Sequence, residues 1–223
     1  KWRDSALKAI QYALKFNAAT IRDFDLVADS KTLASNFDSA AGTISTARRC
    51  FRFLRWTRFV HNLPTDINQK DTLSVILKAV HHVSSICACI FEDITTLGRL
   101  KLLDTAFTSR FDVPGVCAWF SESLTGLIIQ LRVIKAQADR FGAAKKEYIR
   151  LQTVDPEGAA AQKALCFQEY VKLHFAQVTL AKWFAETVAA SHDMGYHSQT
   201  KAAFLSSFVS AVVSTYVQSA KFW

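Results

Sequence analysis

Residues that interrupt helices are scarce in this chain. Its 223 residues include only 7 glycines and 3 prolines. Glycine and proline end helices most often, because glycine is flexible and proline lacks a backbone N–H. The prolines, Pro64, Pro114 and Pro156, stand between stretches of helical periodicity. The sequence therefore predicts an all-α fold, a bundle of about five to six helices that includes long amphipathic helices.

These predicted helices form one membrane-associated domain that spans residues 1–223. Residues 1–63 are expected to form N-terminal amphipathic helices, and residues 70–152 a central helical pair. Residues 159–223 are expected to form a C-terminal pair that ends in an apolar tail.

A basic, aromatic-rich segment occupies residues 39–65. It contains no acidic residue and five arginines, and it is predicted to belong to one helix that starts near Ser30 and stops before Pro64. Helical spacing places Arg48, Arg52 and Arg55 on one side, with apolar side chains opposite and aromatic ones at the boundary. The pattern singles out Arg48, Arg49, Arg52, Arg55, Arg58, Phe51, Phe53, Leu54 and Trp56.

This layout is typical of a helix in a membrane interface, with guanidinium groups at anionic headgroups and apolar side chains among acyl chains. A surface helix of a soluble bundle has the same layout, with its arginines in water. The net charge of +8 favours an anionic partner, which is a membrane surface, a nucleic acid or an acidic protein. Nucleic acid is the least favoured partner, because the chain has no nucleic-acid recognition motif.

The C-terminal stretch 202–220 holds 19 residues without a charge. A helix needs about 20 residues to cross a hydrocarbon core, so this segment is long enough to insert into a membrane. A buried helix of a soluble bundle is the alternative. The expected anchor residues are Phe204, Leu205, Phe208, Val212, Val213 and Trp223.

Sequence patterns of enzyme sites are missing. The chain has no phosphate-binding glycine loop, no H-E-x-x-H, no C-x-x-C pair and no G-x-S-x-G. His81 and His82 are neighbours on a predicted helix, so their side chains diverge and do not favour a shared metal ion. The sequence predicts a protein that is not an enzyme, with no catalytic residue, metal, cofactor or small-molecule substrate.

Four short motifs occur in a characteristic order: Ile10-Gln11-Tyr12, the basic segment 47–55, residues 91–100 and residues 204–210. In this order they resemble the peroxin-eleven family of peroxisomal membrane proliferation proteins. The resemblance implies a peroxisomal membrane protein that binds anionic lipids, curves and elongates the membrane, and self-associates. It also implies that Arg48, Arg49, Arg52 and Arg55 meet lipid phosphates, and that Phe51, Phe53, Leu54 and Trp56 insert.

An alternative function belongs to another class of protein. The chain is also compatible with a structural accessory subunit of a respiratory, ATP-synthase or photosynthetic complex in a mitochondrial or plastid inner membrane. There the arginine helix would pack against acidic partner subunits or bound lipids. A remodelling protein should deform anionic liposomes on its own, whereas an accessory subunit should co-purify in fixed stoichiometry.

Overall fold

The computed structural model describes residues 2–24, 29–66, 71–195 and 200–219. Within these ranges 93% of the residues are helical and no strand occurs, which confirms the all-α prediction. The helices are α1 (Trp2–Phe24), α2 (Ser30–Phe51), α3 (Trp56–Asp66), α4 (Thr72–Arg99), α5 (Thr105–Thr108), α6 (Asp112–Val154), α7 (Pro156–Asp193) and α8 (Thr200–Ser219). The described helices outnumber the expected five to six, because the arginine helix is broken in two and a four-residue helix, α5, precedes α6.

Aspartate side chains cap the starts of two long helices. Asp71 accepts a hydrogen bond from the backbone N–H of Ser74 at 3.2 Å, at the start of α4. Asp155 accepts one from the backbone N–H of Gly158 at 3.0 Å, at the start of α7. Such caps satisfy backbone donors that have no partner within the helix, so they fix where each helix begins.

The long helices lie side by side in the order α2, α1, α8, α7, α6 and α4, and the first and last of them also contact each other. α1 packs between α2 and α8, α7 between α8 and α6, and α6 between α7 and α4. α3 packs against α4. The C-terminal end of α2 reaches α4 through side-chain contacts, which completes the order. The contacts between α2 and α4 therefore link the two ends of this helical arrangement.

The interior of the bundle is built from small and polar side chains. Among the described residues, the buried hydrophobic positions are eleven alanines and Cys89, and no Leu, Ile, Val, Phe, Met or Trp is buried. Buried polar positions include Ser85, Thr96, Ser123 and Ser210. Soluble proteins bury their large apolar residues, whereas helices that associate in lipid meet through small residues. This bundle has the side-chain distribution of helices that associate in lipid.

Large apolar side chains instead form outward stripes at helical spacing. On α4 the stripe is made of residues three, four and seven apart, which lie on one face of a helix. Similar stripes follow α6 and α8. The exposed residues are Leu73, Ile76, Val80 and Val83 on α4, Leu124, Ile128 and Leu131 on α6, and Leu205, Val209, Val212 and Tyr216 on α8.

By length and composition, α4 is the one described helix that qualifies as a candidate membrane span. Its most apolar window has a mean hydropathy of 1.6, and only 17% of that window is buried. The core helix of a soluble protein can pass the same test, but such a helix is mostly buried. The apolar part of the C-terminal helix, Ala202–Val217, is shorter than this test requires.

α6 and α7 form a long antiparallel hairpin. Gln130 donates from its amide to the carbonyl oxygen of Ala176 at 2.9 Å, and Gln162 donates to the carbonyl oxygen of Ala144 at 3.2 Å. Between these points the amide of Gln137 donates to the buried carboxylate of Glu169. The shielded positions recur at alternating three- and four-residue intervals, as in a coiled coil.

Candidate membrane-binding site

The arginine segment is bent rather than continuous. α2 ends at Phe51 and α3 begins at Trp56, and α3 continues to Asp66, past the predicted stop at Pro64. In the connection Leu54 has a φ of 60°, which is left-handed. That conformation costs a non-glycine residue roughly 1–2 kcal/mol. The prediction of one helix from near Ser30 to just before Pro64 is therefore wrong.

A long-range hydrogen bond accounts for the bend. The carboxylate of Asp93, near the end of α4, accepts a hydrogen bond from the backbone N–H of Leu54 at 3.0 Å. Asp93 is only 9% exposed. The sequence of the connection contains no glycine or proline that would stop a helix. Tertiary contact therefore overrides the local helical preference at this point.

Arg48 points into the protein and is only 5% exposed. Its Nε donates to the backbone oxygen of Asp4 at 3.2 Å and to the Oδ1 of that residue at 3.0 Å. Its Nη1 donates to the Oε1 of Gln11 at 2.6 Å. Burial lowers the pKa of Arg48, and the positive charge of Arg52 acts in the same direction, while Asp4 opposes both.

Arg52 and Arg49 are paired with Glu92 on α4. Nη2 of Arg52 lies 2.6 Å from Oε1 of Glu92, and its Nε lies 3.7 Å from Oδ1 of Asp4. Nε of Arg49 lies 3.7 Å from the same Glu92 oxygen. Burial lowers the pKa of Arg49, and the charge of Glu92 counteracts this. We call Arg48, Arg49, Arg52, Asp4, Glu92 and Asp93 the arginine–carboxylate cluster; it joins α1, α2 and α4.

The other predicted residues of this segment face outward, apart from Trp56, which is half-buried. Phe51 is 81% exposed, and Phe53 and Leu54 are exposed beside it. Arg55 and Arg58 are also exposed, and the guanidinium of Arg55 lies 5.3 Å from the centre of the Phe59 ring. We call Phe51, Phe53, Leu54, Arg55 and Arg58 the bend surface. It combines apolar side chains with cations at one point on the protein.

The predicted anchor residues of α8 divide between two environments. Leu205 and Val212 belong to the outward stripe, whereas Phe204, Phe208 and Val213 are half-buried. The ring centre of Phe204 lies 6.5 Å from that of Tyr12 on α1. Trp223 lies outside the described residues.

Sequence reasoning missed the partners of the arginines. None of Asp4, Glu92 and Asp93 was among the residues that the sequence singled out. A usable signal was present, because the segment 39–65 has no acid of its own while an acidic pair ends an otherwise apolar helix. Buried charges need partners, so acids elsewhere in the chain were the natural candidates.

One known protein family matches this chain. The family model described as Peroxisomal biogenesis factor 11 (PEX11) matches residues 1–219, which is nearly the whole chain. Neither a curated protein nor a solved structure matches the chain. The match confirms the resemblance noted from the sequence. The chain therefore belongs to the Peroxisomal biogenesis factor 11 (PEX11) family of peroxisomal membrane proliferation proteins.

Proposed function

We propose that this chain is embedded in the peroxisomal membrane and curves it by inserting the bend surface into one leaflet. The observation that carries the proposal is the exposure of Phe51, Phe53 and Leu54 next to Arg55 and Arg58. Water disfavours such a group of large apolar side chains, whereas a lipid interface accommodates both the apolar and the cationic members.

The inverted distribution of side chains supports the membrane-embedded part of the proposal. Stripes of Leu, Ile and Val face outward on α4, α6 and α8, while alanine and serine fill the contacts between helices. In water the outward stripes would be costly, but in lipid they match their surroundings. α4, with its long and largely unburied apolar window, is the strongest candidate for a span.

The bend surface has the chemistry of a shallow wedge. An apolar group set about 5–10 Å into the boundary between headgroups and acyl chains expands one leaflet and favours curvature. Each arginine at an anionic surface adds about 1 kcal/mol of attraction. Arg55 and Arg58 are exposed and placed for this role, whereas the guanidinium groups of Arg48, Arg49 and Arg52 are paired with the chain's own acids. We therefore assign the first lipid contacts to the bend surface.

Liposome binding by the purified full chain tests the proposal. A triple variant F51S/F53S/L54S should lose most of its tubulation of anionic vesicles. A matched control, I149S/V154S/L165S, removes three exposed apolar side chains from the α6–α7 hairpin and should tubulate like the wild type. Equal tubulation by both triple variants would show that the bend surface is not the wedge.

Charge reversal gives an independent test of the same surface. The double variant R55E/R58E should weaken binding to anionic vesicles and leave binding to neutral ones unchanged, because only the electrostatic attraction is altered. The family match favours this peroxisomal role over the accessory-subunit alternative. Isolation of the native chain in fixed stoichiometry with the subunits of another complex would support that alternative instead.

A further inference from the structure

We infer that the bend between α2 and α3 is a latch, which the arginine–carboxylate cluster holds closed in the free protein. An anionic phosphate group that pairs with Arg49 and Arg52 in place of Glu92 opens it. Residues 30–66 then join into one continuous helix. The inference rests on the proposed function, since the bend surface must first bring the protein to a phosphate-rich interface.

The first argument is local. Between α2 and α3 the residues are Arg52, Phe53, Leu54 and Arg55, none of which favours a helix end. Leu54 adopts a left-handed conformation that leucine rarely takes. Without contacts to distant residues this segment would continue as a helix. The bent state therefore depends on those contacts, and their release gives the segment a second, helical state.

The second argument concerns the contacts that hold the bend. One is the hydrogen bond from the Leu54 N–H to Asp93, and the other is the ion pair of Arg52 with Glu92. The side chains of Arg52 and Glu92 are 21% and 27% exposed, so an external anion can reach the pair. Guanidinium groups bind phosphate with the same forked geometry that they use for carboxylates. A lipid phosphate is thus a competent replacement for Glu92.

The third argument is the gain in apolar contact after opening. In a continuous helix Phe53 and Val60, seven residues apart, lie on one side, close to Cys50 and Leu54. The bend divides these residues among α2, the connection and α3. A membrane interface favours the continuous helix because it then buries a longer apolar stripe. The same interface therefore supplies both the competing anion and the apolar driving force.

A distance measurement across the bend tests the inference. Spin labels are placed at Thr43 and His61, which are both exposed, in a full chain whose native cysteines are replaced by alanine. In a continuous helix the two α-carbons are about 27 Å apart, and we expect the turn at Leu54 to bring them closer together. We expect a shorter distance in neutral micelles and about 27 Å on vesicles of phosphatidylcholine and phosphatidylinositol in equal parts.

Inorganic phosphate and vesicles of digalactosyl diacylglycerol, a neutral lipid without phosphate, separate the sources of the effect. Lengthening with inorganic phosphate alone would support the exchange of ion pairs and assign the trigger to the free anion. Lengthening on the phosphate-free vesicles to the same extent would overturn the exchange of ion pairs. Vesicle binding by flotation is measured on the same samples, so that binding and opening are scored separately.

Three variants shift the latch in defined directions. D93A should lengthen the distance even in neutral micelles, because the acceptor for the Leu54 N–H is lost. L54G should favour the bend about fivefold more than L54A, because only glycine takes the left-handed conformation at little cost. D104A is the matched control, since Asp104 accepts a backbone hydrogen bond only within the α5 turn.

The outcomes separate the two proposals. Binding to anionic vesicles with an unchanged distance would overturn the latch and leave the proposed function intact. Loss of vesicle binding by the wild type would overturn the proposed function. If D93A failed to fold, the comparison of L54G with L54A would still decide, since equal bent fractions in these two variants contradict the latch.

Discussion

Arg48 donates a hydrogen bond to the side-chain oxygen of Gln11 across 2.6 Å, at a point where both residues are buried. The same guanidinium group holds Asp4, so one side chain of α2 joins two turns of α1. A buried charge of this kind contributes to stability only while all its partners are present. Arg48 is therefore expected to act as a structural residue.

The first prediction follows from this arrangement. R48M should lower the free energy of unfolding by about 3 kcal/mol, because it leaves Asp4 and Gln11 without their cation. R58M, at an exposed position, should change it by less than about 0.5 kcal/mol. Thermal unfolding of both variants in the same detergent measures the difference. Comparable losses would contradict the structural role of Arg48.

The second prediction concerns the contact between α6 and α7. A Cβ atom at Gly126 would lie 2.7 Å from the indole of Trp183, whereas a Cβ atom at Gly142 would meet nothing within 4 Å. G126A should destabilise the protein by about 1–3 kcal/mol through overpacking. G142A should stabilise it by up to about 1 kcal/mol, because alanine is the better helix former. Melting curves that shift both variants in the same direction would refute this account.

The third prediction concerns acid. Two hydrogen bonds lower the pKa of Glu169 below its ordinary value: the larger effect comes from Lys172 and the smaller from Gln137. A carboxylate with a lowered folded-state pKa stabilises the protein above its unfolded pKa, and this contribution is lost as the pH falls through the folded pKa. E169Q should therefore melt below the wild type at pH 7. The gap between the two melting temperatures should narrow steadily below about pH 4. A gap that is constant with pH would argue against the ion pair.

The fourth prediction tests the outward stripe of α4. Val83 is 55% exposed near the middle of that helix. A lysine at the centre of a membrane span costs about 2.5–3.5 kcal/mol, so V83K should increase extraction of the protein from membranes by alkaline carbonate. L165K, on the hairpin, serves as the control and should be extracted like the wild type. Unchanged extraction of V83K would place this stripe outside the lipid.

The sequence predicted the all-α class, because glycine and proline interrupt helices within a few residues of where they stand and both are scarce in this chain. The bend at Leu54 escaped prediction for the opposite reason. Its cause, Asp93, is 39 residues away, and helical periodicity carries no information about such a partner.

The candidate site was predicted in part for the same reason. The aromatic and basic residues of the segment were singled out as a group, but periodicity could not show which arginines turn inward. Arg48 and Arg55 share one side of an ideal helix, yet Arg48 is buried and Arg55 is exposed. Periodicity also gives no information on what the outward stripe of α4 faces, since an apolar stripe facing lipid has the same spacing as one facing a core.

The length of α6 has a consequence for the surface of the organelle. Beyond Leu131, the last residue of its outward stripe, α6 continues for 23 residues to Val154, or roughly 35 Å at 1.5 Å per residue. α7 accompanies this part and returns along it. Each copy would then project a rigid rod into the water next to the membrane, and its charged tip near Asp155 would be the first part that an approaching macromolecule meets.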